Sequence, residues 1–217
     1  IRNPMNGIIG SLRLLRPGMT LDALRLRSLN QRAQYLSRLV GNILDFSKIE
    51  RDELTVSFHT FDPAWMKDTV ELLFEDLAEQ NAIDLTVQCS GTGSAAVHSD
   101  RSRIEQILVN LVGNAIRFTP RGAVRIGIHL ETLAEGDSFL RLSVADTGTG
   151  IAKVDQKRIF KAFQQGSAAS PRGKGEKGTG LGLAIVSKIV ERLGGQLRFF
   201  SELGKGTRFH ITLPVET

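Results

Sequence analysis

Apolar residues change their period near residue 50, and that change limits the folds open to the chain. Before it, Met5, Ile8, Leu12 and Leu15 recur at three-four-three spacing, and Leu26, Leu29, Ala33, Leu36, Val40 and Ile43 continue the alternation. Such spacing places each set along one stripe of a helix. Pro17-Gly18 breaks the run, and Thr20 stands where a second helix wants its N-cap. The segment reads as an antiparallel helical hairpin. Two helices bury little alone, and a seam on each needs a cover, so a homodimer completing a four-helix bundle is expected. Packing of the stripe on the chain's own larger part is the alternative.

After Phe46-Ser47-Lys48-Ile49-Glu50 short strands alternate with helices. Strands are expected at Leu54 to Phe58, Asp84 to Cys89, Val124 to Leu130, Leu140 to Ala145, Gln196 to Phe200 and Thr207 to Leu213. Helices fit Pro63 to Gln80, Ser102 to Phe118, Asp155 to Phe163 and Leu181 to Leu193. The class is α+β, the second part being an α/β sandwich with helices over one face of a mostly antiparallel sheet. From Gln164 to Lys177 small and polar residues predominate, as in a mobile loop. With 217 residues, a small module (1–50) joined to a larger one (51–217) is expected.

Charge and cysteine usage exclude several functions. A single Cys89 rules out an intramolecular disulfide, and no cysteine and histidine cluster has metal-ligand spacing. No apolar run reaches the roughly 20 residues of a membrane helix, and Ile1-Arg2-Asn3-Pro4 is unlike a signal peptide. This part of a protein is therefore expected to be soluble. The net charge of +5 is uneven, with 8 Lys and Arg against 3 acids up to Glu50 and 20 against 20 beyond. A solvated basic helix face and a dock for an acidic partner both fit. Nucleic-acid binding does not, because no aromatic residues interleave with the basic ones.

Three clusters carry chemistry. On the helix expected from Ser102, Asn110 and Asn114 stand four apart and share a face, presenting neutral amide oxygens to one point. Such oxygens suit Mg²⁺ whose charge a triphosphate already balances. Arg117, three residues on, reaches the same side. The second cluster, Asp146-Thr-Gly148-Thr-Gly150-Ile151, follows a strand; its glycines let backbone approach a flat ligand and its carboxylate can accept from an exocyclic amine, as adenine has. The third, Gly178-Thr179-Gly180-Leu181-Gly182, opens a helix, where unpaired N–H groups and the dipole hold phosphate. Taken singly, the three also read as polar surface, a plain turn and a hinge.

Their order, with Phe160 and Phe163 between the second and third, closely resembles the N, G1, F and G2 boxes of the sensor histidine kinases. The ATPase domain of that family, of the Bergerat type, is shared with the gyrase and MutL ATPases. Arg2-Asn3-Pro4-Met5-Asn6-Gly7 resembles the stretch after the phospho-acceptor histidine, and Asp45-Phe46-Ser47-Lys48-Ile49-Glu50 the end of the second dimerisation helix, as in hybrid-type kinases. The resemblance implies that Asn114 ligates Mg²⁺, Asn110 supports the phosphates and Arg117 contacts them. Asp146 would bind the adenine amine, Phe118 would line the base pocket, and Thr207 would hold a water beside Asp146. Gly148, Gly150 and Ile151 would border the base, and Gly178 to Gly182 would close on the triphosphate. Arg172, Lys174 and Lys177 would lie on a lid above it.

The same resemblance places the acceptor histidine four residues before Asn3, upstream of Ile1, with an acidic neighbour; His59, His98, His129 and His210 read as surface or packing residues. Asn3 stands where a residue orients water in phosphatase-competent members. Gyrase-like relatives carry a glutamate one turn before the metal asparagine, where this chain has Asn110. An amide cannot take a proton at neutral pH, so slow hydrolysis and transfer to a histidine are implied. The expected function is an ATP-dependent histidine kinase core that passes phosphate to the aspartate of a response-regulator receiver domain. It would be cytoplasmic and attached to a membrane only through parts outside the chain. The alternatives are a degenerate kinase that pairs with another histidine kinase, and a gyrase-like ATPase.

Overall fold

A computed structural model describes residues 33, 36, 40–91, 96–133, 136–164 and 179–217. The expected hairpin up to Leu29, Asn3, Gly178 and the lid residues Arg172, Lys174 and Lys177 lie outside the described residues. The chain divides into two compact units, Ile1–Glu53 and Leu54–Thr217. In the first, residues 40–50 form helix α1. Its seam residue Val40 is 41% exposed, as a stripe awaiting a cover would be.

The second unit runs β1 (His59–Phe61), α2 (Trp65–Gln80), β2 (Ile83–Ser90), β3 (Val97–Ser99), α3 (Arg101–Phe118), β4 (Gly122–Thr132), β5 (Ser138–Asp146), α4 (Lys153–Gln156), α5 (Gly182–Arg192), β6 (Gln196–Glu202) and β7 (Gly206–Val215). Five strands form one sheet in the order β2-β4-β5-β7-β6, in which only β2 and β4 are parallel. Alternate residues of β4, β5 and β7 are buried, among them Ile126, Ile128, Leu140, Leu142 and Ile211. On this face α3 packs against β4 and β5, α2 against β2 and α5 against β6. Buried residues of α2 recur every fourth position (Met66, Val70, Phe74, Ala78), and α3 buries Ile104, Ile107, Leu108, Leu111, Val112, Ala115 and Ile116. Each fully buried aliphatic side chain contributes about 1.5–3 kcal/mol.

Two expected elements differ. Leu54 to Phe58 is not a strand, because the Ser57 N–H goes to the Asp100 side chain (2.8 Å) instead of a neighbouring strand. The strand begins at His59 and pairs antiparallel with β3, a separate two-stranded sheet that periodicity did not reveal. The helix expected from Asp155 to Phe163 closes at Gln156 as the short α4. Turns follow to Phe163, whose left-handed φ of 61° no helix accommodates.

Asp100 fixes the start of α3. It is 2% exposed, and its carboxylate accepts from Ser57 N, Ser102 Oγ (2.7 Å) and Arg103 N (3.0 Å). Burial alone would raise its pKa, but these three donors and the Arg103 charge outweigh burial and hold it below the ordinary value. A depressed carboxyl stabilises the fold above its unfolded pKa, and that contribution is lost as pH falls through the folded one. Asp100→Ala should therefore cost about 1–2 kcal/mol at neutral pH. Urea titrations of variant and wild type should converge as pH falls below 3.8.

Candidate functional site

β5 ends at Asp146, which pairs with Val124 on β4 and with Thr207 on β7. Its Oδ1 accepts from Gly148 N (2.8 Å) and Thr207 N (3.2 Å). Oδ2 accepts no hydrogen bond among the described residues, so one oxygen is anchored and the other remains for a donor. Burial pushes the carboxyl above its ordinary pKa, and the two backbone N–H groups offset only part of that rise.

The turn after β5 tucks beneath the end of α3. Thr149 N donates to the Phe118 carbonyl (3.0 Å), and a Cβ on Gly148 would collide with that carbonyl and stand 2.8 Å from Asp146 Oδ1. Gly150 has φ 65°, and a Cβ there would meet the Glu202 carbonyl. Beyond it, Ile151 N donates to Ser201 Oγ (2.8 Å), which also bonds Thr207 Oγ1 (2.8 Å). Gln156 Nε2 donates to the carbonyls of Ile151 (3.1 Å) and Ser201 (3.0 Å). Ser201 and Gln156 thus brace this turn, and sequence reasoning missed both. The signal for Ser201 is the β6–β7 register that sets it opposite Thr207, which cannot be read without the sheet order.

Helix α3 carries the other end. α3 stops at Phe118 because Thr119 is extended and Pro120 follows; the buried Thr119 hydroxyl donates to the Ala115 carbonyl (2.7 Å). Asn110 Nδ2 donates to the Gln106 carbonyl (2.8 Å), which aims Oδ1 at the first turn of α5. There Oδ1 lies 2.8 Å from the place a Cβ on Gly182 would take, so only glycine admits the asparagine. Asn114, one turn on, is half-buried, and its amide makes no hydrogen bond among the described residues. The Arg117 guanidinium lies 5.3 Å from the centre of the Phe118 ring.

Helix α5 has no side-chain cap on its N-terminus. Thr179 Oγ1 accepts from Leu181 N (3.2 Å), and Leu181 is fully buried, which anchors the turn. Gly180 has φ 69°, and a Cβ there would stand 2.8 Å from the Gln164 carbonyl. Phe163 N donates to the Gly180 carbonyl (3.0 Å), while Phe160 packs on Phe199 with ring centres 5.4 Å apart. The segment with the two phenylalanines is therefore strapped to both α5's entry and the sheet.

One stripe of α3 thus touches Gly182 through Asn110 and the turn of Gly148 through Phe118. These positions lie about 12 Å apart along the helix. The arrangement offers a carboxylate oxygen for an amine at one end, and amide oxygens with open helix N–H groups for phosphate at the other. For Mg²⁺ the donor set fits: Asn114 has an uncommitted amide, and neutral oxygen suits an ion that phosphate oxygens share.

Comparison with known proteins agrees. The family model of the histidine kinase-, DNA gyrase B- and HSP90-like ATPase matches residues 99–217, and that of the His Kinase A (phospho-acceptor) domain matches 1–52. The autoinducer 2 sensor kinase/phosphatase LuxQ of Vibrio parahaemolyticus is 36% identical across the whole chain. The chain spans about a quarter of the length of the curated relatives it matches, 25% of LuxQ. Full-length ShkA in complex with AMPPNP is 30% identical with a TM-score of 0.71, covering 100% of this chain and 44% of that one. Histidine kinase ThkA in complex with the response regulator TrrA is 27% identical with a TM-score of 0.59, covering 98% of this chain and 58% of that one. The chain belongs to the histidine kinase-, DNA gyrase B- and HSP90-like ATPase family, in the sensor histidine kinase branch that joins this ATPase to a His Kinase A domain.

Proposed function

We propose that residues 51–217 bind Mg-ATP and act, with the dimerising hairpin of 1–50, as the kinase core of a two-component signalling protein. The core would move the γ-phosphoryl group to a histidine and on to a receiver aspartate. The observation that carries this reading is the α3 stripe, with Asn110 against Gly182 at one end and Phe118 over Gly148, beside Asp146, at the other. In it, Asp146 Oδ2 accepts from the adenine amine while Gly148 and Thr207 hold Oδ1. Phe118 and Ile151 border the base. Asn114 ligates the metal, which when bound offsets charge on the phosphates. Asn110 and the N–H groups of Thr179, Gly180 and Gly182 hold phosphate oxygens, and Arg117 swings from Phe118 to join them.

Asn110 also favours transfer over hydrolysis, since its amide cannot deprotonate water. The exposed seam at Val40 supports the homodimer, and the ThkA complex with TrrA supports a response-regulator partner. The core would sit in the cytoplasm, where a response-regulator partner would meet it. Among the described residues no helix is long and apolar enough to cross a membrane.

Labelled ATP tests the reaction. A polypeptide that includes this chain and the histidine expected before it should take up label that survives base and is released by acid. ATP binding without label would favour a regulatory module, and steady turnover by the chain alone would favour a gyrase-like ATPase.

A further inference from the structure

The helices cover one side of the five-stranded sheet, and the nucleotide site lies among them. On the opposite side alternate residues of β4, β6 and β7 are exposed among the described residues. Its register sets Arg125 on β4 level with Arg208 on β7 across Ala145, and sets Arg198 on β6 beside His210, one step along β7 from Arg208. Neighbouring strands lie about 4.8 Å apart, so Arg208 stands about 10 Å from Arg125, two strands away, and about 8 Å from Arg198 on the diagonal, and the three long side chains form one loose basic strip. All three arginines are exposed, and none makes an ion pair or hydrogen bond among the described residues. The acids nearby are engaged elsewhere: Glu131 accepts from Arg141 Nε (2.7 Å), and Glu202 pairs with Lys205 (2.8 Å). Asp84 on β2 is a diagonal neighbour of Arg125, two residues from the Thr86 that pairs with it, and makes no ion pair among the described residues.

Beside the patch the face is hollow. Gly127 in mid-β4 has no side chain, and a Cβ there would stand 2.6 Å from Ser143 Oγ on β5. These small residues floor a depression of about 700 Å³ walled by Arg198, Arg141 and Phe200. Opposite these arginines across the strands stand uncharged partners, Thr86 and Ala145 for Arg125, Ala145 and Phe200 for Arg208, and His210 for Arg198. Burial, with the charge of Arg208, also pushes His210 below its ordinary pKa.

From this strip of exposed arginines without ion pairs we infer that this sheet face docks an acidic polypeptide segment of a partner protein. Arginine forks suit carboxylates, which they grip in pairs. Two features favour a short acidic peptide over nucleic acid. Beyond Glu50 the acidic and basic residues balance at 20 each, so the attraction is local and does not extend to a long polyanion. Among the described residues Phe200 is the one phenylalanine on this face more than half exposed (67%), too little for stacking successive bases.

Fluorescence anisotropy of the full chain with a labelled peptide of alternating Asp and Glu tests the inference. The peptide should bind, and Arg125→Gln/Arg198→Gln/Arg208→Gln should weaken it at least about tenfold, the scale of a few charge contacts. None of the three arginines touches the nucleotide site, so AMPPNP affinity should stay unchanged, which also reports that the variant is folded. Its melting temperature should stay close to wild type, since all three side chains are exposed and make no ion pair among the described residues. Three results would overturn the inference: no binding, binding unaffected by the triple change, or tighter binding of a single-stranded oligonucleotide of equal charge. The second would move the dock to the basic segment before Glu50.

Discussion

Asp146→Asn weakens ATP binding by about two orders of magnitude and leaves the melting temperature close to wild type. The substitution is isosteric, and an amide oxygen can keep the bonds from Gly148 N and Thr207 N that hold Oδ1. Only the second atom changes, from an acceptor to a donor. It then faces the donating amine of adenine, so one charge-assisted bond is lost and two donors are opposed, which is worth about 1.5–3 kcal/mol. Isothermal titration beside a thermal melt separates the two effects.

The same carboxyl makes binding depend on pH. Because burial raises its pKa, the empty folded protein holds this proton more tightly than the unfolded chain, and ionisation costs stability as pH rises through that window. An adenine amine favours the ionised form. Affinity should therefore be full above the raised pKa and fall as pH drops through it. In Asp146→Asn that inflection should vanish, so comparing the two profiles removes the titration of the phosphates themselves.

Asn114→Ala removes the magnesium-dependent part of the affinity. In the presence of Mg²⁺ the variant should bind ATP only as well as wild type does in chelator, a loss of at least about tenfold. Folding should be spared, because among the described residues the half-buried Asn114 amide makes no hydrogen bond and its removal leaves no orphaned partner. Unaltered affinity in Mg²⁺ would refute the metal assignment.

Much of this was legible in the chain because the signals were local. Alternation in β4, β5 and β7 and the four-residue spacing in α2 and α3 arise from one buried face each, and sequence reports a buried face directly. The site clusters were legible for a related reason: Gly148, Gly150, Gly180 and Gly182 stand where a Cβ would strike a neighbour. What escaped depended on distant partners. β1 and β3 are three residues each and exist through each other, too short to show a period. α4 ends early because Phe163 is drawn to the carbonyl of Gly180, 17 positions on. Ser201 joins the site only because the strand order lays β6 beside β7 and that strand's Thr207 beside Asp146.

Whether asparagines, carboxylate and glycine turns meet on one metal-bound nucleotide is most directly tested with Mn²⁺ in place of Mg²⁺. Amide spectra of the chain should be recorded with Mn²⁺ alone, with AMPPNP alone and with both. The account predicts that the Asn114 side-chain amide and the Gly180 and Gly182 backbone signals broaden strongly only when both are present, while AMPPNP alone shifts Gly148 and Ile151. Broadening by Mn²⁺ without nucleotide, or a nucleotide response that spares Asp146's turn, would contradict it.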